Sequence, residues 1–417
     1  MSGPDAPLRL RDAAVAEEPE DAATLRAEVR AWMAVHAAPL GPRRGALEAP
    51  DTAESTARAR AWQATLDDGG WAVPAWPVEH GGRGLPGRLA AVVVEEQLPY
   101  EVPVGPFAVP VQMVGPTLLA HGTAAQAERY LPAIRRGEHI WCQLFSEPDA
   151  GSDLAGLRTR AVRVDGGWEV TGQKVWTSAA ANADRAILLA RTDPGSWRHH
   201  GISYLVLDMH QPGVEVRPIL QSNRNRHFNE VHLDGAFVPD EDLVGEEGEG
   251  WTVARTTLLA ERTLIGGMSV VDRVALVAEE ARDRGRLADP ILRQGLADAY
   301  GRAFLLGVTN RRVEAALARG GPPGAEASVL KLALSLLVAD LGELAVAIAG
   351  TDGLLEGGEQ PYDPEDESTG NGYGLLQDLL LGQWASRIGG GTEQIQRNLI
   401  AERVLGLPRD PRPPAPG

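Results

Sequence analysis

The chain has 417 residues, with 40 Lys and Arg against 57 Asp and Glu, a formal net charge of −17. A protein that follows a polyphosphate backbone needs a basic face to release counterions, and no Lys/Arg-rich stretch here is long enough to supply one, so nucleic-acid binding is excluded. At 43% hydrophobic and 23% charged the composition is that of a globular chain able to bury a sizeable core, and the length suits roughly two or three domains.

Taken from the N-terminus, the stretch ahead of Ala22 reads as a short lead-in without the apolar run of a signal peptide. Helical spacing of apolar residues then begins, in AATLRAEVRAWMAVHA and again in STARARAWQATLDDGGW, and continues to about Gly137. Between these helices and the next lies WAVPAWPVEHGGRGL, whose Pro and Gly content predicts an irregular connector. Near Ile140 the pattern changes to period two. RTRAVRVDGGWEVTGQKVW alternates apolar and polar residues on either side of Asp165-Gly166-Gly167, which predicts a hairpin. RAILLART, GISYLVLDM, GVEVRPIL and FNEVHLDGAFV follow as short strands, enough for a sandwich or barrel.

Helical spacing returns after Gly250-Trp251 and persists to about Arg403. The most apolar part, Leu330 to Gly350, is interrupted by Lys331, Asp340 and Glu343, which are costly at the centre of a bilayer, so it reads as a buried core helix and no membrane insertion is expected. EGGEQPYDPEDES reads as a solvated loop and PRDPRPPAPG as a Pro-rich tail. Cys142 is the single cysteine, which leaves no intrachain disulfide and no cysteine-built metal site; it reads as a small buried hydrophobe in a reducing, cytoplasmic setting. The order helices, strands, helices is not the alternation of a doubly wound nucleotide fold, and no G-x-G-x-x-G follows a strand.

Three segments carry chemistry. FSEPDAGSDLAG (Phe145 to Gly156) offers hydroxyls, carboxylates and small residues that admit a ligand close to the backbone. QKVWTSAAANAD sets an indole two positions before a hydroxyl, and GGGTEQIQRNLIAERVLGLP lies near the C-terminus. Together they resemble the signatures of the acyl-CoA dehydrogenase family of flavoproteins. GTAAQAERYLPAIRRGE, FNEVHLDGAFVPDEDLVGEEGEGW and LLAERTLIGG match in the family's order, so the resemblance runs over nearly the whole chain.

The resemblance implies a three-part α+β fold: an N-terminal helical domain (22–138), a central β-barrel (139–244) and a C-terminal four-helix bundle (245–408), with FAD between barrel and bundle and the bundles assembling a tetramer. It places Phe145 and Ser146 against the flavin ring, Trp176 and Ser178 over its other side, and Ser152 near phosphates or substrate. Arg284 would reach the FAD phosphate of a neighbouring subunit, where a guanidinium can bind bidentately, and Thr392 and Gln394 would meet the adenosine portion. Leu287, Ala347 and Thr351 depart from the family's usual residues around those intersubunit contacts.

Such enzymes remove the α-proton of an acyl-CoA thioester with a carboxylate while fixed donors polarise its carbonyl. Many family members carry that carboxylate immediately before the Gly-Thr of the C-terminal signature, where this chain has Gly390-Gly391-Thr392 and a backbone N–H at Gly390 to offer the thioester oxygen. A minority places it in a Glu-Arg pair on the first helix of the bundle. Glu261-Arg262 occupies that place, so Glu261 is taken as the base, ahead of Glu393, and Arg262 as the residue that reaches the CoA or carbonyl region. The expected activity is FAD-dependent α,β-dehydrogenation of an acyl-CoA with an electron-transfer flavoprotein as acceptor, on a branched or bulky acyl group because Gly390 leaves space. A homo-oligomer and a mixed tetramer with a homologous chain both fit, the latter in a flavin- or CoA-binding subunit without turnover as one alternative, and an oxidase or monooxygenase on the same fold is another.

Overall fold

A computed structural model describes residues 20–39, 53–103, 105–196, 198–266, 270–318, 326–355 and 373–409. The acidic stretch 356–368, the lead-in and most of the Pro-rich tail lie outside the described residues.

The first helices are α1 (Glu20–His36), α2 (Ala53–Asp68), α3 (Gly87–Glu95), α4 (Gly115–His121) and α5 (Ala124–Arg135). The spacing seen in the sequence is the one buried: Leu25, Val29 and Met33 form the inner face of α1. The α5 helix starts at a capping box, in which the Thr123 hydroxyl accepts from the Gln126 N–H and the Gln126 side chain accepts from the Thr123 N–H. The Pro/Gly-rich connector before α3 is irregular, as predicted, but it is packed: Trp71 and Trp76 are buried and the Arg83 guanidinium lies over the Trp71 ring.

Glu96, just past α3, ties that helix to α1. Its buried carboxylate accepts from Arg26 at 2.6 Å and from Arg30 at 2.9 Å. Burial pushes the carboxyl up, but the two guanidiniums outweigh it and hold Glu96 below the usual carboxylate range. A depressed folded-state value contributes stability that is complete above the unfolded Glu value and is lost as pH falls through the folded one. Glu96→Gln is therefore expected to lower the urea midpoint most near neutral pH. The gap from the parent should close as pH falls below about 4.5, and a gap that stays constant with pH would contradict this reading.

The strands are β1 (Trp141–Leu144), β2 (Arg160–Val164), β3 (Gly167–Ser178), β4 (Arg185–Arg191), β5 (Ile202–Asp208), β6 (Val214–Pro218), β7 (Phe228–Pro239) and β8 (Leu243–Val244). They form one sheet in the order β6-β7-β3-β2-β4-β5-β8, with β1 parallel beside β4. The predicted hairpin is β2–β3: Val164 pairs with Gly167 around Asp165-Gly166, and Gly166 takes the positive φ of +75° that this tight turn requires. Cys142, Ala161, Trp168, Leu188, Leu207 and Val231, from six different strands, meet in one core, so the sheet curls around its own interior as a barrel does. Burial pushes the Cys142 thiol up, which keeps it protonated and inert there.

The opposite face of the sheet is also covered. Trp141, Phe145, Ile187 and Tyr204 share a second core with the N-terminal helices and with Val253 and Ala254 of α6 (Gly250–Gly266). The helices before the sheet, the sheet itself and α6 up to Leu264 belong to one compact unit. A second unit contains α7 (Val270–Asp283), α8 (Pro290–Ala318), α9 (Glu326–Ala349), the later part of α10 (Leu375–Ile388) and α11 (Glu393–Leu399). Among the described residues one stretch, Ala327–Leu354, is long and apolar enough to cross a membrane by length and composition. It is the α9 core helix, with Leu337, Leu341, Ala345 and Ile348 buried, and a β-carbon at Gly342 would stand only 3.0 Å from the Leu379 carbonyl oxygen of α10.

Candidate active site

The end of β1 and the end of β3 are joined by a buried ion pair. Lys174 is fully buried on β3 and its Nζ donates to the Glu147 carboxylate at 2.9 Å and to the Phe145 carbonyl at 3.0 Å. Glu147 also accepts from the backbone N–H groups of Arg158 at 2.6 Å and Thr159 at 2.9 Å. Burial pushes the Glu147 carboxyl up, yet Lys174 and these donors outweigh it and hold it below the usual range. Burial pulls the Lys174 ammonium down to about 8, with Glu147 opposing. The backbone completes the joint: the Val175 N–H donates to the Ser146 carbonyl at 3.0 Å.

On this joint β3 carries one extra residue relative to β7, between Lys174, opposite Val231, and Thr177, opposite Asn229. The bulge turns Trp176 out at a φ of +61°, with 58% of its surface exposed. A bulky residue in that region stores roughly 1–3 kcal/mol of strain, and such strain gathers at functional sites. The structure thus brings together four of the residues named from the sequence: Phe145 buried, Ser146 half-buried, and Trp176 and Ser178 exposed along one edge. Ser152 lies exposed in the loop that Glu147 anchors.

Glu261 stands on the α6 face that is otherwise buried. Ala254 and Thr257, seven and four residues before it, are fully buried, while Glu261 itself is half-buried. The Thr257 hydroxyl meets those of Thr117 at 2.9 Å and Tyr204 at 3.1 Å, and His121 Nε2 lies 2.7 Å from Thr256 Oγ1, which holds α6 against α4 and β5 one turn before Glu261. Gln143 Nε2 donates to Glu261 at 3.3 Å. Gln143 lies on the same β1 face as Trp141, and Phe145 follows two residues on, just past the strand, so the carboxylate is bonded two residues before Phe145. Arg262 is in α6, but its side chain lies outside the described residues.

In the second unit, Gly390 and Gly391 have φ of +66° and +94° and link α10 to α11. Gln396 Nε2 donates to the Gly390 carbonyl at 3.2 Å, and a β-carbon on Gly391 would fall 2.6 Å from that nitrogen. Thr392 caps α11 by accepting from the Ile395 N–H at 3.2 Å, and Gln394 is exposed beside it. Glu393 is held by Arg387 at 2.7 Å. Arg284, at the end of α7, pairs with Glu280 at 3.1 Å and Asp352 at 3.4 Å.

Three family models match the chain in order: the N-terminal domain of acyl-CoA dehydrogenase over residues 19–138, the middle domain over 142–236 and the C-terminal domain over 248–405. The chain belongs to the acyl-CoA dehydrogenase family. Among its relatives, acyl-CoA dehydrogenase IpdE1 of Mycobacterium tuberculosis is 38% identical over 94% of this chain and 99% of its own. Acyl-CoA dehydrogenase FadE34 of the same organism is 41% identical over 83% of this chain, which spans about half (46%) of that longer protein. The solved structure described as Tcur3481-Tcur3483 steroid ACAD superposes with a TM-score of 0.76 at 30% identity, over 94% of this chain and 99% of the other.

The family is one of FAD-dependent flavoproteins, and the β1–β3 edge suits such a ring: an exposed indole held out by a strained bulge, with two serine hydroxyls and a buried phenylalanine beside it. Among the described residues no group of His, Cys, Asp or Glu is arranged to hold a metal ion. Glu147, Lys174, Gln143 and Gln396 were not singled out from the sequence, although one signal was present. In β3 the inward positions run Trp168, Val170 and on to Lys174, and a lysine on an inward-facing strand position demands a buried partner.

Proposed function

We propose that this acyl-CoA dehydrogenase oxidises a branched or bulky acyl-CoA thioester with Glu261 as its base. The observation that carries the reading is a half-buried carboxylate on the inward face of α6, bonded by an amide on the strand that leads to Phe145, in a chain whose C-terminal signature carries no carboxylate at Gly390. Glu261 takes the proton from Cα. The Cα–H electron pair becomes the new double bond as a hydride leaves Cβ, and the backbone N–H of Gly390 stabilises the charge on the thioester oxygen. FAD, when bound, supplies the acceptor of that hydride. Phe145, Ser146, Trp176 and Ser178 orient the ring; Arg284, Thr392 and Gln394 serve the phosphate and adenosine portions; Ser152 and Arg262 hold the substrate.

The bulky acyl group follows from the absent side chain at Gly390 and accords with the name of the steroid ACAD. That name also joins two proteins, which supports assembly with a second, homologous chain. An electron-transfer flavoprotein is the onward acceptor. Bleaching of the bound flavin, followed with straight, branched and ring-bearing acyl-CoAs, is expected to be fastest with the branched or ring-bearing ones. A clear preference for straight chains would sink this substrate assignment.

A further inference from the structure

We infer that Gln143 is a positioning residue for Glu261, holding the carboxylate ionised and turned toward the flavin-side edge. This rests on the reading of Glu261 as the base. Gln143 and Glu261 are 118 residues apart in the chain, yet Gln143 Nε2 donates to Glu261 Oε2 at 3.3 Å, and the two side chains are half-buried. The strand explains why an amide stands there. On β1, Cys142 and Leu144 turn into the barrel interior, whereas Trp141 and Gln143, with Phe145 just past the strand, turn to the opposite face, which the N-terminal helices and α6 cover. Its two neighbours on that face are buried aromatics that share a core with α6, so a polar residue between them is out of pattern unless it serves a polar partner.

The contact belongs to a closed ring of neighbours. Phe145 meets the Tyr204 ring edge-on at 6.0 Å, the Tyr204 hydroxyl bonds Thr257, Glu261 follows one turn later, and Gln143 returns to the strand that carries Phe145. The ring of contacts closes through β1, β5 and α6. Among the ionisable groups on described elements packed against α6, His121 on α4 and Tyr204 on β5 bond the hydroxyls of Thr256 and Thr257. Burial pushes the Tyr204 phenol up, so it stays neutral. The neighbouring Lys174 and Glu147 are bonded to each other behind Phe145. An amide N–H that donates to a carboxylate favours its charged form, and a neutral amide does so without contributing a proton of its own.

The test is the pH profile of kcat/KM in the flavin-loaded protein, together with its visible spectrum. Gln143→Leu removes the donor, and Gln143→Glu keeps the shape but sets a like charge against Glu261. Both are expected to move the acid limb to higher pH, and Gln143→Leu to lower kcat roughly ten-fold with less than about a two-fold change in KM. The flavin spectrum should stay as in the parent. Should Gln143→Leu fail to fold, Gln143→Glu alone decides through the acid limb. If Glu261→Gln is inactive while both Gln143 variants keep the parent's acid limb, this inference is overturned and the base assignment stands. If Glu261→Gln turns over at the parent rate, both fall.

Discussion

Glu261→Gln is expected to slow flavin reduction by acyl-CoA about 10²–10⁴-fold, the usual worth of a positioned general base, while the protein still folds and holds flavin. The amide has the size of the carboxylate and can still meet Gln143, so a loss of rate with an unchanged flavin spectrum reports the missing proton acceptor rather than a collapsed site. The contrasting variant is Glu393→Gln. Arg387 holds the Glu393 carboxylate below the usual range through a hydrogen bond at 2.7 Å, against the opposing effect of burial. A base needs a carboxylate that gains by taking a proton, and one held so by a guanidinium is ill suited. Single-turnover flavin bleaching should therefore be lost in Glu261→Gln and retained in Glu393→Gln. The reverse result would move the base to the α10–α11 turn.

The second large effect is on stability. Lys174→Met is expected to cost about 3–5 kcal/mol, because it leaves Glu147 buried without its cation, and to loosen flavin by freeing the Phe145 carbonyl. Glu147→Gln should cost a similar amount near neutral pH, where it strands a buried ammonium. Folded Lys174 loses its proton near pH 8, whereas an unfolded lysine keeps it to the ordinary value of 10.5. Over that interval the unfolded chain binds more protons, so parent stability rises with pH. With a neutral Lys174 there is no charge left for Glu147 to compensate, so the penalty of Glu147→Gln should shrink as pH rises above about 8. Urea midpoints for the parent, both single variants and the double variant test this. The double variant should be less destabilised than the sum of the singles, and simple additivity would show that the pair does not act as one unit.

By itself the sequence determined the family, the order helices, sheet, helices, the β2–β3 hairpin, and that the C-terminal signature has glycine at 390 while α6 carries Glu261. These are legible because they depend on short-range physics: the 3.6 and 2.0 periods of apolar residues, the demand of a tight turn for glycine, and signatures contained in a dozen consecutive residues. The tertiary structure alone decided the rest. It set Gln143 against Glu261, brought Lys174 under Phe145 and Glu147, bulged β3 so that Trp176 faces outward, and tied Glu96 to two arginines on α1. Each of these joins residues from separate elements, and local pattern carries no distance between elements. A polar residue on a buried face is visible in the sequence as an anomaly, but its partner is chosen by where strand pairing and helix packing bring the chain back, and only the folded path settles that.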